Sequence, residues 1–454
     1  MPARRPNVLF IPVDDLRPQL CCYGRDHVVS PNIDRLADGG VVFTRPYCQV
    51  PVCGATRASL LTGVRPNRRR FVTYHTWVDE DLPGALTLPE HFRRHGYVTI
   101  SDGKVFHHRT DTAGRSWSEA PWHPRTGRPG ESWRNYLLDA NRAIDAAGET
   151  RGPPVECADA SDSAYFDGMI ADRAIADLRR LAAADAPFFL AAGFLKPHLP
   201  FNAPKKYWDY YQAGDVRLAD NPLRPDGAPD QALHNWGELR AYFDVPKEGP
   251  LPEETARRLV HGYHAATSYM DAQVGRLLDE LDALGLRDST IVVLWGDHGW
   301  QLGEHGLWCK HCNFNTSLWA PLVVRAPGMP AARRCDALVE FVDVYPTLCE
   351  LAGLPRPDHL EGTSLAPLLD DPARPWKRAV FSRYRAGDSI RTDRHLYTEW
   401  TDDAGRLTAR MLYDHDADGD ENRNLAECPE IADLVASLSA ALRAGWRDPA
   451  VWDA

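Results

Sequence analysis

Short apolar runs that end directly in polar residues constrain the fold of this chain more than any other feature of its sequence. Residues 7–13 form such a run and lead into Asp14 and Asp15, and a second run within residues 290–298 ends in an Asp-His pair. Apolar runs this short are typical of buried strands, because helices that bury one face are longer. We therefore expect two buried strands that each present polar side chains at the carboxyl end.

Segments with helical periodicity alternate with strand-like segments along the chain. The sequence predicts helices at residues 31–37, 55–61, 259–281 and 344–352, and further strands at residues 41–47, 98–101 and 188–194. This order predicts the α/β class, with a large mixed, mostly parallel sheet sandwiched by helices. Ligands bind beyond the carboxyl ends of strands in such sheets, so the polar pairs at the two strand ends should meet there.

A segment rich in Pro and Asp, at residues 354–376, predicts a connection between two units. We expect a large domain at residues 1–370 and a smaller α+β subdomain at residues 371–454. The subdomain should contain a small antiparallel sheet and a terminal helix. Its predicted elements are strands at residues 379–384, 395–400 and 411–413 and a helix at residues 431–444.

The charge balance and the hydropathy exclude several classes of function. Lys and Arg total 52 against 63 Asp and Glu, and the net charge of −11 leaves no global basic field for nucleic acid or anionic lipid. The longest apolar runs, residues 187–195 and 291–295, are shorter than the roughly 18 residues that a membrane-spanning helix requires. We therefore expect no nucleic-acid partner and no membrane span.

The start of the chain and the cysteines bear on the cellular compartment. The apolar stretch behind Met1 is interrupted by Pro12 and lacks a small-residue cleavage site, so the sequence as it stands predicts a cytoplasmic protein. A periplasmic or secreted protein is the alternative if a signal peptide was removed. The ten cysteines are irregularly spaced, which predicts reduced thiols rather than a disulfide framework.

The acidic residues at the strand ends are candidates for binding a metal ion. Asp14, Asp15 and Asp297 come from two strand ends, and three clustered carboxylates repel one another unless a cation lies between them. Hard oxygen ligands favour Ca²⁺, with Mg²⁺ as the alternative. Asp14 and Asp15 alone are also consistent with a simple turn, and the addition of Asp297 and His298 is what favours the metal site.

Cys53 lies just ahead of the helix predicted at residues 55–61, and Arg57 follows one turn later on the same face. The first turn of a helix exposes unpaired N–H groups and the positive end of the helix dipole, which together favour an anion. The arrangement combines a nucleophile, an anion site and a guanidinium group. A buried, inert thiol is the alternative for a cysteine considered in isolation.

The sequence C-G-A-T-R-A-S-L-L-T-G, which starts at Cys53, resembles the signature of the sulfatase family, a formylglycine-dependent family of the alkaline phosphatase superfamily. In that signature the first cysteine is oxidised to formylglycine (3-oxoalanine), and the segments around Asp14 and Asp297 are similar to the metal-binding segments of the family. Similarity to the iduronate-2-sulfatase-like branch comes from three further segments, at residues 103–107, 196–201 and 297–310.

The resemblance implies a metal site and a nucleophile. Asp14, Asp15, Asp297 and His298 would bind Ca²⁺ together with the modified Cys53. One hydroxyl of the hydrated aldehyde would attack the sulfur of a sulfate ester in line with the departing alcohol. The second hydroxyl would then lose its proton, so that sulfate leaves and the aldehyde re-forms. An ordinary serine or cysteine has no second hydroxyl and could not perform this step.

The resemblance also implies roles for the charged residues around the nucleophile. Arg57 and Lys104 would neutralise charge on the nucleophile side, and Lys310 would bind the sulfate oxygens. His198 would protonate the departing alcohol, and His107 would take the proton from the remaining hydroxyl. Taken singly, Lys104 could be a solvated cation and either histidine a structural imidazole, so the assignment depends on the joint spacing.

The chain departs from the family pattern beside the cysteine. The family usually has proline at the position of Ala55 and a small hydroxyl residue at that of Thr56. This bears on recognition by the formylglycine-generating enzyme, the partner expected during maturation. Alanine at this position is compatible with some modifying systems.

The sequence as a whole predicts a sulfuric ester hydrolase that acts on a small-molecule or oligosaccharide sulfate ester. The main alternative is a phosphodiesterase or phosphonate monoester hydrolase on the same scaffold, because both ester types are tetrahedral and react by in-line displacement. A non-catalytic anion-binding protein with an unmodified Cys53 thiol is a third possibility. The C-x-x-C at Cys309 and Cys312 would suggest zinc or redox chemistry, but no second cysteine pair accompanies it.

Overall fold

A computed structural model describes residues 5–128, 132–330 and 332–451, so residues 1–4 and 452–454, at the ends of the two predicted domains, lie outside the described residues. The strands are β1 Asn7–Val13, β2 Val41–Tyr47, β3 Val98–Gly103, β4 Val155–Ala158, β5 Phe188–Gly193, β6 Phe201–Pro204, β7 Thr290–Gly296, β8 Gln301–Leu302, β9 Trp308–Cys309, β10 Leu322–Arg325, β11 Arg333–Glu340, β12 Ala379–Tyr384, β13 Gly387–Thr392, β14 His395–Thr401 and β15 Leu407–Asp414. The helices are α1 Pro31–Asp38, α2 Cys53–Thr62, α3 Val78–Asp81, α4 Leu88–Arg94, α5 Ala113–Ser116, α6 Asp139–Ala147, α7 Phe166–Ala182, α8 Lys205–Trp208, α9 Gly237–Arg240, α10 Glu253–Ala283, α11 Asn315–Leu318, α12 Val344–Leu351, α13 Ala366–Asp370 and α14 Ala432–Ala444.

A seven-stranded sheet with the order β11-β2-β10-β7-β1-β5-β3 forms the centre of the fold. Neighbouring strands are parallel except at β10, which runs antiparallel to both β2 and β7. The predicted mixed, mostly parallel sheet is therefore confirmed. The register of β1 on β7 runs from Asn7 opposite Thr290 to Val13 opposite Gly296, so the two strands end level with each other.

Helices cover both faces of this sheet, as the uninterrupted apolar runs predict. Alternate side chains of β1 point to opposite faces: Val8 and Phe10 belong to one apolar cluster, and Leu9 and Ile11 to another. Helices α2, α4, α12 and α13 contribute to the first cluster, and α1, α7 and α10 to the second. No helix within the described ranges has the length and apolar character needed to cross a bilayer.

The C-terminal part forms an antiparallel sheet with the order β12-β13-β14-β15, and helix α14 packs against it through Val435 and Leu438. The predicted small sheet and terminal helix are confirmed. Strand β13 was not predicted, because its sequence G-D-S-I-R-T has no apolar alternation and it pairs between two strands that do. The boundary at residue 370 stays a prediction.

A buried ion-pair network joins the two parts. Arg65 donates two hydrogen bonds of 2.5 Å to Glu340, and Lys377 lies 2.8 Å from Glu340 and 2.6 Å from Asp343. Although burial alone would raise the pKa of Glu340, Arg65 and Lys377 lower it from 4.5 to about 2. The free energy that this carboxylate contributes to folding is therefore complete above pH 4.5 and is lost as the pH falls towards 2.

Replacing Glu340 with glutamine should destabilise the protein by about 3 kcal/mol at pH 7, because Arg65 would remain buried without an anionic partner. The difference from the unchanged protein should shrink below pH 4.5, because the Glu340 carboxylate then becomes protonated in the unfolded chain while it stays charged in the folded protein. Urea unfolding at pH 7 and pH 3.5 measures both values, with the exposed Glu350→Gln as a control. If the glutamine variant lost the same free energy of unfolding at both pH values, the negative charge assigned to Glu340 would be wrong.

Candidate functional site

The two strand ends that were expected to meet lie side by side. Because Val13 is opposite Gly296, Asp14 and Asp297 are the next residues on adjacent parallel strands. The backbone N–H of Asp15 donates to Asp297 Oδ1 at 3.0 Å. Asp15 has a positive φ of 61°, a conformation that aspartate tolerates better than most residues.

Helix α2 brings Cys53 to the same place. The helix begins at Cys53, two residues earlier than predicted, so Cys53 is its first residue and does not precede it. Ligand atoms of Asp14, Asp15, Cys53 and His298 all lie within 4.8 Å of one another, and all four residues are buried. The structure thus brings together four of the five predicted metal ligands.

Asp297, the fifth predicted ligand, lies beside this group and binds protein atoms with both oxygens. Its Oδ1 accepts the hydrogen bond from Asp15, and its Oδ2 lies 2.9 Å from Arg57 Nε. A direct role of Asp297 in holding a metal therefore stays a prediction.

The chemistry of the four clustered residues fits a divalent cation. Asp14 Oδ1 and His298 Nε2 are buried and have no hydrogen-bond partner. His298 Nδ1 donates to the carbonyl of Gly299 at 2.9 Å, which turns Nε2 towards Asp15 and Asp297, at 3.5 and 3.6 Å. Buried carboxylate oxygens and an imidazole nitrogen directed at one point are suitable ligands for Ca²⁺ or Mg²⁺.

The electrostatics of the cluster also favour positive charge. Burial opposes the charged form of His298, but Asp297 and its neighbours raise the pKa of the imidazole to about 9. For Asp15, burial acts in the upward direction and raises the pKa of the carboxyl group to about 7. The carboxylates therefore attract a positive charge, which either a proton on His298 or a bound divalent cation would supply.

Arg57 and Lys104 lie beside Cys53, and both form ion pairs with the carboxylate of Asp14. Arg57 is completely buried, with Nη2 3.5 Å from Asp14 Oδ1 and Nη1 donating to the carbonyl of Lys104 at 2.6 Å. The Lys104 ammonium forms an ion pair with Asp14 Oδ2. These bonds fix the guanidinium group and hold the ammonium close to the start of helix α2.

The positive charges around Cys53 change its acidity. Burial would raise the pKa of the Cys53 thiol, but Lys104 and Lys310 outweigh burial and lower the pKa to about 6. Other buried cysteines of the chain behave in the opposite way, and burial raises the pKa of Cys312 to about 11. Residue 53 thus lies in a local field that stabilises an anion.

Lys310 connects the acidic cluster to a residue that the sequence did not indicate. Its Nζ lies 3.0 and 3.2 Å from the two oxygens of Asp15 and 2.9 Å from Glu238 Oε2. Glu238 comes from the four-residue helix α9, within a long irregular stretch. No motif, periodicity or charge pattern marked Glu238, and only the folded chain places it beside Lys310.

Glu238 also contacts His198. The imidazole Nε2 lies 3.1 Å from Glu238 Oε1, and Nδ1 lies 2.6 Å from the carbonyl of Leu199. Both partners are acceptors, so both ring nitrogens carry protons in this arrangement. Burial lowers the pKa of His198, but Asp15 and the bond to Glu238 raise it above its ordinary value overall. His198 is therefore held as a proton donor.

His107 is in the opposite state. Burial and the nearby Lys104 ammonium lower the pKa of His107 to about 3, and its Nδ1 is buried without a hydrogen-bond partner. The imidazole is therefore neutral and able to accept a proton. His107 and His198 thus differ in protonation, as an acid and a base in one site would.

A cavity of about 550 Å³, called here the Cys53 cavity, opens over these residues. Five of the six residues with a predicted catalytic role line it, and Arg57 does not; the five are Cys53, Lys104, His107, His198 and Lys310. Glu238 also lines the cavity. Trp133 and Tyr74 also line it and are 41% and 52% exposed, so two aromatic rings stand at its mouth. The cavity is large enough for a small organic group that extends from a buried anion site.

Other residues singled out in the sequence lie away from this chemistry. Cys309 and Cys312 are free, buried thiols, and in the described part of the chain they belong to no metal-binding group. The zinc or redox interpretation of the C-x-x-C segment is therefore unsupported, and the residue between the two cysteines, Lys310, is the one that reaches the cavity.

Family models match the chain along most of its length. A model of the sulfatase family matches residues 6–354, and a model of the C-terminal region of N-sulphoglucosamine sulphohydrolase matches residues 303–447. Iduronate 2-sulfatase of Homo sapiens is 37% identical over 397 residues, which cover 77% of this chain and 70% of that protein.

Solved structures share the fold over almost the whole chain. Phosphonate monoester hydrolase of Agrobacterium radiobacter is 26% identical, with a TM-score of 0.75 and coverage of 97% of this chain and 96% of the other. A protein solved in complex with D-glucosamine-2-N,6-O-disulfate has a TM-score of 0.75 at 21% identity and covers 97% of each chain, a likeness in fold. The family match and the identity to iduronate 2-sulfatase show that this chain belongs to the iduronate-2-sulfatase-like branch of the sulfatase family and is a sulfuric ester hydrolase.

Proposed function

We propose that this chain releases sulfate from a sulfated sugar or a related alkyl or aryl sulfate, with Cys53 in the formylglycine form and a bound Ca²⁺ ion. The proposal rests on one observation: Asp14, Asp15, Cys53 and His298 form a buried ligand group at a cavity lined by Lys104 and Lys310. Mg²⁺ is the alternative cation, since the same ligands suit both ions.

Formylglycine, made from Cys53 by a formylglycine-generating enzyme, would supply the hydroxyl nucleophile in its hydrated form, and the cation would supply the charge that stabilises it. Asp14, Asp15, Asp297 and His298 would hold the cation. The low pKa of the unmodified Cys53 thiol supports this assignment, because it reflects a field that stabilises negative charge at residue 53.

The cationic side chains would bind the sulfate group and balance its charge. Arg57 and Lys104 lie on the side of the nucleophile, where Asp14 positions both. Lys310, on the other side of the cluster, is held by Asp15 and Glu238 and faces the cavity. Fixed cations are more effective here than mobile ones, because they need no reorganisation as charge develops on the sulfate oxygens.

The two histidines would move the protons. His198, held in its protonated form by Glu238 and the carbonyl of Leu199, would donate a proton to the oxygen of the departing alcohol. His107, neutral at pH 7, would accept the proton that must leave the nucleophile side before sulfate is released. Each histidine therefore begins the reaction in the state that its role requires.

Relatives support a sugar as the alcohol. One relative is named iduronate 2-sulfatase, and one structure of the same fold holds a sulfated glucosamine. The exposed rings of Trp133 and Tyr74 at the mouth of the Cys53 cavity are suited to stack on a sugar ring or an aryl group. The same features accept aryl sulfates, which makes these convenient test substrates.

Phosphonate monoester hydrolysis is the second candidate, because the phosphonate monoester hydrolase of Agrobacterium radiobacter shares the fold at 26% identity. Parallel assays of 4-nitrophenyl sulfate and 4-nitrophenyl phenylphosphonate, on protein produced with a formylglycine-generating enzyme, separate the two. We expect kcat/KM to be at least about 100-fold higher for the sulfate, corresponding to roughly 2.7 kcal/mol of transition-state discrimination. A higher value for the phosphonate would favour the second candidate.

Replacing Glu238 with glutamine should lower kcat for an alkyl sulfate by about 10-fold and change kcat for 4-nitrophenyl sulfate by less than about 2-fold. The amide removes the Glu238 charge, which acts with Asp15 to raise the pKa of His198, and only a poor leaving group requires the proton. Steady-state kinetics on both substrates measure the effect, and the exposed Glu248→Gln serves as the matched control. An equal loss on both substrates would assign Glu238 to sulfate binding through Lys310 instead.

A further inference from the structure

Lys196 is a buried lysine in the segment that carries His198, and the mechanism proposed above gives it no role. The segment joins strand β5 to strand β6 at residues 194–200 and is called here the His198 loop. It contains Pro197 and Pro200, which have no N–H group, so the loop cannot form a continuous ladder of backbone hydrogen bonds. Side chains bind several of its backbone groups instead.

Asp167 holds the start of the His198 loop. It lies in the first turn of helix α7 and is 1% exposed. Its Oδ1 accepts a hydrogen bond from the backbone N–H of Leu195, and its Oδ2 accepts one from that of Lys196, both at 2.9 Å. Burial raises the pKa of Asp167 to about 6, so the carboxylate is still charged at pH 7. Because helix α7 packs on the central sheet, this end of the loop is tied to the core.

The side chain of Lys196 holds the other end of the same loop. Its Nζ donates hydrogen bonds to the carbonyl of His198 at 2.8 Å and to the carbonyl of Pro200 at 2.6 Å. The residue is 8% exposed, and burial lowers its pKa to about 8, which leaves the ammonium group charged at pH 7. Hydrogen bonds from a charged donor are roughly twice as strong as those between neutral groups.

These bonds bear on the orientation of the His198 imidazole. Its Nδ1 lies 2.6 Å from the carbonyl of Leu199, which stands between the two carbonyls that Lys196 binds. A proton donor must lie within hydrogen-bond reach of the departing oxygen, and a misplacement of about 1 Å can cost about 100-fold in rate. His198 lines the Cys53 cavity, whereas the described lining of that cavity does not include Lys196. Any effect of Lys196 on the reaction therefore passes through the loop.

We propose that Lys196 and Asp167 are positioning residues, which together fix the His198 loop so that the imidazole faces the departing alcohol as its proton donor. This proposal rests on the proposed function, because it concerns the acid of the same reaction. Neither residue reaches the reacting atoms. Loss of either one affects the step that needs the proton and leaves sulfate binding by Lys104 and Lys310 in place.

Replacing Lys196 with methionine removes the ammonium group and keeps a long side chain. For an alkyl sulfate, kcat should fall by about 10-fold and KM should stay within about 2-fold, because the acid is misplaced while the sulfate contacts remain. For 4-nitrophenyl sulfate, kcat should change by less than about 2-fold, since nitrophenolate leaves without protonation. A variant that merely contained less folded protein would lose activity equally on both substrates, and that result would overturn the proposal.

Lys205→Met is the matched control, since Lys205 is an exposed lysine of helix α8, shortly after the His198 loop. It should leave both kcat values within about 2-fold. Asp167→Asn is a second variant, which replaces one acceptor oxygen by an amide donor and so removes one bond at the start of the loop. It should lower kcat for the alkyl sulfate by about 3- to 5-fold with the same selectivity, and it serves as the test if Lys196→Met does not fold.

A double-mutant cycle shows whether Lys196 acts through His198. Adding Lys196→Met to a protein that already carries His198→Ala should change kcat for the alkyl sulfate by less than about 2-fold, because there is no longer an acid to position. A further loss of about 10-fold in the double variant would show that the two residues act independently. That result would overturn the proposal.

Hydrogen exchange of the backbone amides tests the same idea without turnover. In Lys196→Met, the amides of residues 194–201 should exchange at least about 10-fold faster than in the unchanged protein, while those of strand β7 keep their rate. If the unchanged protein hydrolyses no sulfate ester but Lys196→Met shows the faster exchange, the proposed function fails and the role of Lys196 in holding the loop stands. Identical exchange of residues 194–201 in the two proteins would overturn the role of Lys196.

Discussion

Replacing Cys53 with alanine is expected to reduce sulfate release from every substrate by at least about 10⁴-fold, the scale on which loss of a nucleophile acts. Alanine offers no group that can become an aldehyde, so no hydroxyl nucleophile can form at residue 53. The neighbours Arg57, Lys104 and Lys310 would remain and could still bind the ester. We therefore expect binding to survive while turnover disappears.

The control for this variant is Cys48→Ala, which changes a second buried cysteine in the same segment of chain. Cys48 contacts the carbonyl of Ser317 and lines no part of the Cys53 cavity. Activity per folded molecule should stay within about 2-fold for this control, since only packing is changed. Residue 53 would be ruled out as the nucleophile if the Cys53→Ala protein kept more than a few per cent of the activity with its secondary structure intact.

Replacing His198 with alanine should lower kcat/KM for alkyl and sugar sulfates by about 10³-fold, within the range for loss of a general acid. For 4-nitrophenyl sulfate the loss should be below about 10-fold, because nitrophenolate leaves without protonation. The expectation follows from the contacts of His198, whose two ring nitrogens face the acceptors Glu238 and Leu199. A series of phenyl sulfates with leaving groups of increasing pKa measures the difference.

The matched control is His264→Ala, which removes a buried histidine of helix α10 outside the Cys53 cavity. That variant should show the same ratio of alkyl to aryl activity as the unchanged protein. The slope of log kcat/KM against leaving-group pKa should become steeper only in His198→Ala. Parallel slopes for the two variants would remove the assignment of His198 as the acid.

The sequence predicted the parts of the site that lie at the ends of strands. Two apolar runs placed Asp14 and Asp297 at strand ends, and their meeting follows from parallel pairing of β1 and β7, which the α/β pattern implies. Cys53 and Arg57 were predictable for a similar reason, since one helical turn separates them on one face. Local periodicity was sufficient in both cases.

Residues delivered by irregular segments were not predictable from local patterns. Glu238 belongs to a four-residue helix and contacts Lys310, 72 positions away, across loops that have no repeating apolar pattern. The strands β10 and β11 were missed because Leu322–Arg325 is very short and Arg333–Glu340 begins with charged residues. Such elements form because the larger sheet offers them a neighbour, which a single segment of sequence does not reveal.

Ala55 departs from the family signature two residues after Cys53, the residue that we propose is converted to formylglycine. Mass spectrometry of the tryptic peptide that spans residues 36–57, prepared from protein made in its natural host, tests the central claim most directly. We predict a peptide lighter than the sequence requires by the loss of H₂S and the gain of one oxygen atom, with the change at Cys53. A peptide that carries intact thiols at both Cys48 and Cys53, in protein that hydrolyses sulfate esters, would contradict the account.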